Sequence, residues 1–472
     1  MRITSSNKTP YLNDHYFTSL CLSYFPHEDF SSDSENEAFF RLDEDGGVIS
    51  AKVVITCGSK MEAFELSEND IEQVIPMERS QVAEVVLGLC FTECGKRLFG
   101  FVPCWGHLAG LRPVIRAEHY LRRYDEETVK RLFVSNYAIS EEKTSLSIAA
   151  ASLAMEETKK LGDNDCFLYI SIPFCPTRCS YCSFVALESR KLRSLLPDYL
   201  DALKRELSDK AELIKENGHT LKGIYIGGGT PSILTPEQER DLFLAIEGTM
   251  PMGDVIEYTF EAGRPDTITE EKLRIAKEHG VDRISINPQS TNDEVLKAIG
   301  RSHDASLFYE AASLSEKFAF RSRNADIIVG LPEDNDERFK KTVTDVLSFG
   351  FENITVHSLT VKNASLLSKD PSAYDPRGSM VLRHLSSSHA SLISSGYRPY
   401  YLYRQKKTVG GGENCGFTLG GKACIYNIAS TDETHSIYGC GSGATTKILT
   451  PSGIKRQSNA RYPYEYLKNR KR

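Results

Sequence analysis

The chain has 472 residues, enough for about three domains at roughly 150 residues each and for a large buried core. Hydrophobic residues make up 40%, an ordinary globular share that excludes a chain dominated by disorder. With 57 Lys and Arg against 64 Asp and Glu the net charge is −7, which argues against a chain-wide basic face for nucleic acid.

The N-terminus, MRITSSNKTPYLND, lacks the apolar core of a signal peptide, and no apolar run approaches the ~18 residues of a membrane span. A soluble, cytoplasmic protein with no membrane span and no nucleic-acid partner is expected. Residues 1–124 read as an α+β domain. Ala51 to Cys57 and Arg97 to Val102 look like strands, and 82–95 carry helical spacing of Val, Leu and Ala. Residues 125–164 read as a helical connector, with helical spacing over 125–158. In the turn-rich run PCWGHLAGLRP, Trp105 reads as a packing residue.

Over 165–364 one unit repeats. Strand-like runs FLYISI, GIYI, EYTF, RISI, ADIIV and NITV alternate with helical stretches near 191–215, 236–249, 269–279, 291–299, 304–319 and 337–349. In the last, Phe339, Val343, Val346 and Leu347 share a stripe and Gly350 supplies the stop. Six β/α units in series require parallel strands, and right-handed crossovers curl them into a barrel or part of one. The fold class is therefore α/β, a partial (β/α)6 TIM-like barrel with an N-terminal α+β domain and a small C-terminal domain over 365–472. Such barrels place their chemistry at the carboxyl ends of the strands. The C-terminal region carries a helix near 379–395, then YRPYYLYRQKK, GGGENCGFTLGG and YGCGSGATTK. The basic end, LKNRKR, reads as a solvated tail, with docking to an anionic partner as the alternative.

Twelve cysteines without a secretory signal are not a disulfide framework. Cys175, Cys179 and Cys182 form CxxxCxxC within YISIPFCPTRCSYCSF, directly after the first barrel strand. Three thiolates hold three corners of a 4Fe-4S cluster and leave the fourth iron open. A zinc site would want a fourth ligand, and the next cysteine is Cys415. The spacing is similar to the signature of the radical S-adenosylmethionine enzymes. There the open iron is chelated by S-adenosylmethionine, and one electron from the reduced cluster breaks its C5′–S bond to release a 5′-deoxyadenosyl radical. Cys90 and Cys94 share a helix face in an apolar run and read as buried thiols, Cys104 with them, a second cluster being the alternative. Cys415, Cys424 and Cys440 read as structural.

Other polar groups follow the later strands. After the second comes Gly227-Gly228-Gly229-Thr230-Pro231, bare backbone that a ligand's amino and carboxylate groups can approach. After the third comes Glu261, an acceptor for an ammonium or a ribose hydroxyl. After the fourth lie Asn287-Pro288-Gln289 and, twelve residues beyond Gln289 and past a helix, Arg301, whose guanidinium can fork onto a carboxylate. Asp326 opens ADIIVGLP as a ribose partner. Singly, each also reads as a satisfied polar group at a barrel mouth; jointly they read as a ligand site.

YISIPFCPTRCSYCSF, GIYIGGGTPS, NPQS with Arg301, and ADIIVGLP together resemble the oxygen-independent coproporphyrinogen III oxidases (dehydrogenases) and their radical S-adenosylmethionine relatives, over about residues 165–360. The N-terminal domain and the segments TVHSL, YYLYRQK and GKACIYNI are similar to the branch of anaerobic and Gram-positive bacteria. The resemblance implies that Cys175, Cys179 and Cys182 ligate the cluster. It implies that Tyr169, six residues before Cys175, lies beside cluster and cofactor with a catalytic role, and that Gly228, Gly229 and Thr230 bind the methionine moiety. Glu261, Gln289, Arg301 and Asp326 then contact the methionine end or the ribose. Ser171 stands where many members carry a histidine, Phe184 where the proteobacterial enzymes carry a further cysteine, and the HNxxYW run of the heme-chaperone relatives is not seen.

The implied reaction is the radical oxidative decarboxylation of two propionates of coproporphyrinogen III to vinyls, giving protoporphyrinogen IX in heme biosynthesis. The implied partners are this tetrapyrrole and a reduced flavodoxin or ferredoxin-type electron donor. Two alternatives stay open: a heme-binding, chaperone-like member of the family, and a radical enzyme on another substrate. A tetracarboxylate calls for cations, and Arg398, Arg404, Lys406 and Lys407 are candidates, a plain surface strand being the other reading. The glycine cluster ending at Cys415 reads as a lid.

Overall fold

Alternating burial builds the first sheet. Ala38, Phe40 and Leu42 on one strand and Ile49, Ala51, Val53 and Ile55 on the next turn one buried face toward a helix, while the residues between them stay partly exposed. The structure is a computed structural model, and it describes all residues except 26–29, 31–33, 109, 184–193, 376–377 and 471–472. Phe184 and the start of the expected 191–215 helix lie outside the described residues. The chain forms two compact units, Met1–Ser152 with Leu402–Glu413, and Leu153–Tyr401 with Asn414–Arg472.

In the first unit, β1 (Arg2–Asn7), β2 (Glu37–Asp45), β3 (Val48–Cys57) and β4 (Lys60–Ser67) form a sheet in that order, β1 parallel to β2 and the rest antiparallel. The helix Arg79–Phe99 packs on β3 and β4. Cys90 and Cys94 lie fully buried on it, and their thiols donate to the Ala51 and Val53 carbonyls at 3.3 and 3.4 Å. The strand expected at Arg97–Val102 is not formed. Arg97 to Phe99 complete the helix, and Gly100, at φ 79°, closes it by donating its N–H to the Lys96 carbonyl at 2.8 Å. Trp105 is buried, donates from Nε1 to Glu413 Oε2 at 2.9 Å and carries the Arg404 guanidinium over its ring at 5.5 Å. Glu413 also pairs with the buried Lys143 at 2.7 Å.

The second unit is a single curved sheet, order β11-β12-β10-β9-β8-β7-β6-β5-β13-β14-β15. Its centre is six parallel strands in chain order: β5 (Asp165–Ile172), β6 (Thr220–Gly228), β7 (Glu257–Gly263), β8 (Arg283–Ile286), β9 (Ser322–Val329) and β10 (Asn353–Ser358). Helices Leu196–Glu216, Pro236–Thr249, Glu270–Glu278, Asp293–Ala298, Ala305–Glu316 and Asp336–Ser348 connect them. Several starts follow from side-chain caps: Thr235, Thr269, Asp304 and Asn335 each accept a backbone N–H of the first turn. This is the partial β/α barrel of the sequence reading.

Strands from the C-terminal region extend the sheet at both edges. β12 (Glu413–Thr418) runs antiparallel to β10, beyond it lies β11 (Arg398–Arg404), and β13 (Ser436–Cys440) runs parallel to β5, followed by β14 (Thr445–Thr450) and β15 (Gly453–Ser458). The added strands pair the N–H and C=O rows of β10 and β5, so the edges of the sheet move out to β11 and β15. As far as Arg470 the basic end is a helix rather than a free tail. The helix Pro463–Arg470 buries Tyr466 and Leu467, and Arg470 pairs with Glu206 and with Asp209 at 2.5 Å. Among the described residues no helix is long and apolar enough to cross a membrane.

Candidate functional site

β5 ends at Ile172, and the chain turns directly into the loop bearing Cys175, Cys179 and Cys182. Cys179 is buried and the other two are half-buried. The turn after β6 lies against this loop: Gly229 and Thr230 donate their N–H groups to the Ile172 and Phe174 carbonyls at 2.8 Å each, and the Thr230 hydroxyl donates to Cys175 Sγ at 3.4 Å. Glycine is required there. A Cβ on Gly229 would stand 2.6 Å from the Phe174 carbonyl oxygen and 3.0 Å from Cys175 Sγ, and Gly228 sits at φ 111°. Burial pushes the Cys175 thiol up to about 11, the Thr230 hydrogen bond working against it and the nearby Cys182 and Cys179 with it.

The remaining expected residues lie on or just after the later strands. Glu261, near the end of β7, lies so close to the turn after β6 that a Cβ on Gly227 would stand 2.5 Å from its Oε2. Burial and then the charge of Asp326 push its carboxyl up to about 8. Asp326 lies mid-strand in β9 rather than opening it, since β9 begins at Ser322. Burial works to raise its carboxyl, but His357 and Asn324 outweigh burial and hold it below the usual carboxylate range. Asn324 Nδ2 donates to its Oδ1 at 2.9 Å, and His357 Nε2 lies 3.8 Å from its Oδ2. His357, at the end of β10, is raised in turn: desolvation is overcome by Asp326, and its Nδ1 lies 3.2 Å from Asn414 Oδ1. Gln289, at φ 66°, donates its N–H to the Asp326 carbonyl at 3.0 Å.

Arg301 reaches back to the cysteine loop. Its Nη1 donates to the Asn287 carbonyl at 2.8 Å and its Nη2 to the hydroxyl of Tyr181, between the second and third cysteines, at 3.3 Å. Gln289 Oε1 and Arg301 Nε are buried with no hydrogen-bond partner among the described residues. Tyr169, within β5, belongs to a stack of three rings, 6.3 Å from Tyr225 and 6.1 Å from Tyr426, which are 4.5 Å from each other. The cysteine loop, the glycine turn, Glu261 and Arg301 thus lie toward one end of the strands, whereas Tyr169 and Asp326 sit within β5 and β9.

The four candidate cations divide between the two units. Arg398 lies 3.5 Å from Glu156, while Arg404 belongs to the first unit, where it donates to the Leu108 carbonyl at 3.0 Å and its own N–H to the Leu111 carbonyl at 2.7 Å. Lys406 and Lys407 are exposed on the same first-unit segment. The sequence reading passed over Tyr181, Arg264, His357 and Tyr426. Arg264 and His357 stand at the ends of EYTFEAGR and NITVH, where the rule of strand ends points; Tyr426 has no such local signal.

A single metal ion and an iron–sulfur cube make different demands. Among the described residues no three His, Cys, Asp or Glu side chains converge as the ligands of one ion would. A cube takes each thiolate at a different corner. Three cysteines on one loop, with Arg301 reaching Tyr181 of that loop while its buried Nε has no hydrogen-bond partner among the described residues, fit a cluster with a polar ligand at its open corner.

A sequence profile of the radical SAM superfamily matches residues 169–346. The chain is 36% identical over 355 residues to the oxygen-independent coproporphyrinogen-III oxidase-like protein HemZ of Bacillus subtilis (strain 168), covering 74% of this chain and 71% of that one. It is 28% identical over 306 residues to the heme chaperone HemW of Escherichia coli (strain K12), covering 64% and 76%. Its fold is similar to that of the coproporphyrinogen III oxidase HemN of Escherichia coli, described as a radical SAM enzyme, with a TM-score of 0.53 and 22% identity over 68% of this chain and 71% of that one. The cofactors of this superfamily are a 4Fe-4S cluster and S-adenosylmethionine. On these grounds the chain belongs to the radical SAM superfamily, in the family of the oxygen-independent coproporphyrinogen-III oxidase-like proteins.

Proposed function

We propose that the protein is an oxygen-independent coproporphyrinogen III dehydrogenase that converts two propionates to vinyls. The observation that supports this most is the grouping of Gly229, Thr230 and Arg301 around the cysteine loop, in a chain alike over most of its length to a coproporphyrinogen-oxidase-like protein. When bound, the reduced cluster and S-adenosylmethionine supply a carbon radical able to remove a hydrogen atom from a propionate. The protein's part is to bind and orient.

Cys175, Cys179 and Cys182 hold three irons. The Thr230 hydroxyl donates into Cys175 Sγ and disperses the charge that the thiolate carries. The Gly228–Gly229 backbone and the unpaired Gln289 Oε1 and Arg301 Nε receive the methionine ammonium and carboxylate, the acceptor facing the cation and the donor the anion. Asp326, held ionised beside His357, accepts from a ribose hydroxyl, and Tyr169 presents its ring from within β5.

The likeness to a heme chaperone favours one further reading, a protein that holds and delivers heme on the same scaffold. Anaerobic reconstitution followed by incubation with coproporphyrinogen III, S-adenosylmethionine and a reductant separates the two. Protoporphyrinogen IX supports the dehydrogenase; stoichiometric heme binding without vinyl product supports the carrier. 5′-Deoxyadenosine without porphyrinogen turnover points to another substrate. In the dehydrogenase, Cys179→Ala abolishes both adenosylmethionine cleavage and protoporphyrinogen formation, and a mutant that retained either would overturn the assignment.

A further inference from the structure

Arg264 follows the end of β7 and is 3% exposed. Each of its three guanidinium nitrogens donates a hydrogen bond. Nε and Nη2 donate to the two Asp266 oxygens at 2.9 and 3.0 Å, Nη2 also to Ser302 Oγ at 2.6 Å, and Nη1 to Thr177 Oγ1 at 2.9 Å. The Ser302 hydroxyl closes the network by donating to Asp266 Oδ2 at 2.7 Å. Thr177 stands midway between Cys175 and Cys179, and its hydroxyl donates onward to the Gly300 carbonyl at 3.1 Å. The cysteine loop meets the same turn at Ser180, whose N–H donates to the Ile299 carbonyl at 2.9 Å.

One planar group therefore joins three segments: the end of β7, the 300–302 turn and the middle of the cysteine loop. Taking a guanidinium out of water is costly, and the bidentate carboxylate offsets that cost. Asp266 would suffice for that. The remaining nitrogen is aimed at the one hydroxyl in CPTRC that lies between two cysteines.

We propose that Arg264 is a positioning residue for the iron–sulfur cluster, acting through Thr177 to set the separation of Cys175 and Cys179. This rests on those cysteines holding the cluster. A residue that orients a metal ligand shows itself in how firmly the metal is kept. Lysine keeps the charge but presents no fork, so it cannot hold Asp266 by two bonds and reach Thr177 as well.

The test uses the full chain, reconstituted anaerobically, as wild type, Thr177→Val, Thr177→Ser, Arg264→Lys and the Thr177→Val/Arg264→Lys double variant. Iron loss to a strong ferrous chelator is timed, and the reduced-cluster electron paramagnetic resonance spectrum is recorded. Thr177→Val and Arg264→Lys are each expected to speed iron loss on the order of 10-fold and to alter the spectrum. The double variant is expected to be no faster than the faster single one, and Thr177→Ser, which keeps the hydroxyl, to match wild type. Iron loss from Thr177→Val at the wild-type rate overturns the proposal, and so does a double variant whose effect is the product of the two single effects. Where Arg264→Lys fails to fold, the Thr177→Val and Thr177→Ser pair decides alone. A wild-type chain that takes up no cluster strikes the cysteine assignment, whereas a loaded wild type with unaltered variants strikes only the role of Arg264.

Discussion

At the scale of single residues, the proton on Glu261 has a consequence for ligand binding. Burial and the facing charge of Asp326 carry its carboxyl up to about 8, so near neutral pH it is largely uncharged beside an ionised Asp326. The folded chain therefore binds a proton that the unfolded chain releases at the ordinary carboxyl value. The stability linked to this group is fully present at low pH and is lost as pH rises toward and through about 8. Glu261→Gln, which stays uncharged, is expected to melt higher than wild type above pH ~8, with the gap closing near pH ~4, in thermal melts across that range. If the cofactor's ammonium is received by Glu261 as a carboxylate, binding must expel the proton. Calorimetry in buffers of different ionisation enthalpy is then expected to show proton release, with affinity rising up to about pH 8 and levelling beyond it.

At the scale of the element, the turn after β6 shows why three glycines stand together. Each presses on a different neighbour: Gly227 on Glu261, Gly228 on Ser171 and Ile172, Gly229 on Phe174 and Cys175. Gly229→Ala must displace backbone rather than the tip of a flexible side chain. The expected loss is about 1–3 kcal/mol of stability, measured by urea unfolding, together with a fall in iron content after reconstitution. Gly248, late in the helix Pro236–Thr249, is the contrast: a Cβ there meets nothing within 4 Å. Gly248→Ala is expected to stabilise by roughly 0.5–1 kcal/mol and to leave iron content unchanged.

At the scale of the whole chain, the barrel is completed from its C-terminal region. The helix Ile425–Asp432 is anchored by Glu257, the first residue of β7: its two carboxylate oxygens accept the Ile425 and Tyr426 N–H groups at 2.9 Å each. Glu257 also lies 3.6 Å from the buried Arg283, which donates to Asn353 Oδ1 at 2.8 Å and to the Lys422 carbonyl at 2.9 Å. Tyr426, one residue into that helix, thereby enters the stack with Tyr169 and Tyr225. Glu257→Ala removes the acceptor of two buried N–H groups and the counter-charge of a buried arginine. About 3–5 kcal/mol of destabilisation is expected in chemical denaturation followed by circular dichroism, with weakened adenosylmethionine binding because Tyr169 loses its neighbour.

What could be read along the chain was local in origin. Six strand-like runs alternating with amphipathic stretches specify a parallel sheet. A parallel sheet puts all its carboxyl-end loops on one side, so CxxxCxxC, the three glycines, Glu261, Gln289 and Arg301 had to converge. Local patterns also misled where two states share a sequence: Arg97–Val102 has strand composition but completes a helix that Gly100 closes, and the basic end pairs with acidic residues of a helix far earlier in the chain. Arg264 with Thr177 is a pairing across 87 residues and Glu257 with Ile425 one across 168; β13 beside β5 is another such pairing. Periodicity tells a residue which face it occupies, not which distant residue faces it. The partners of buried charges and the strands that extend the sheet at both sides were decided by packing in three dimensions, where a desolvated group is stable only against the neighbour that satisfies it.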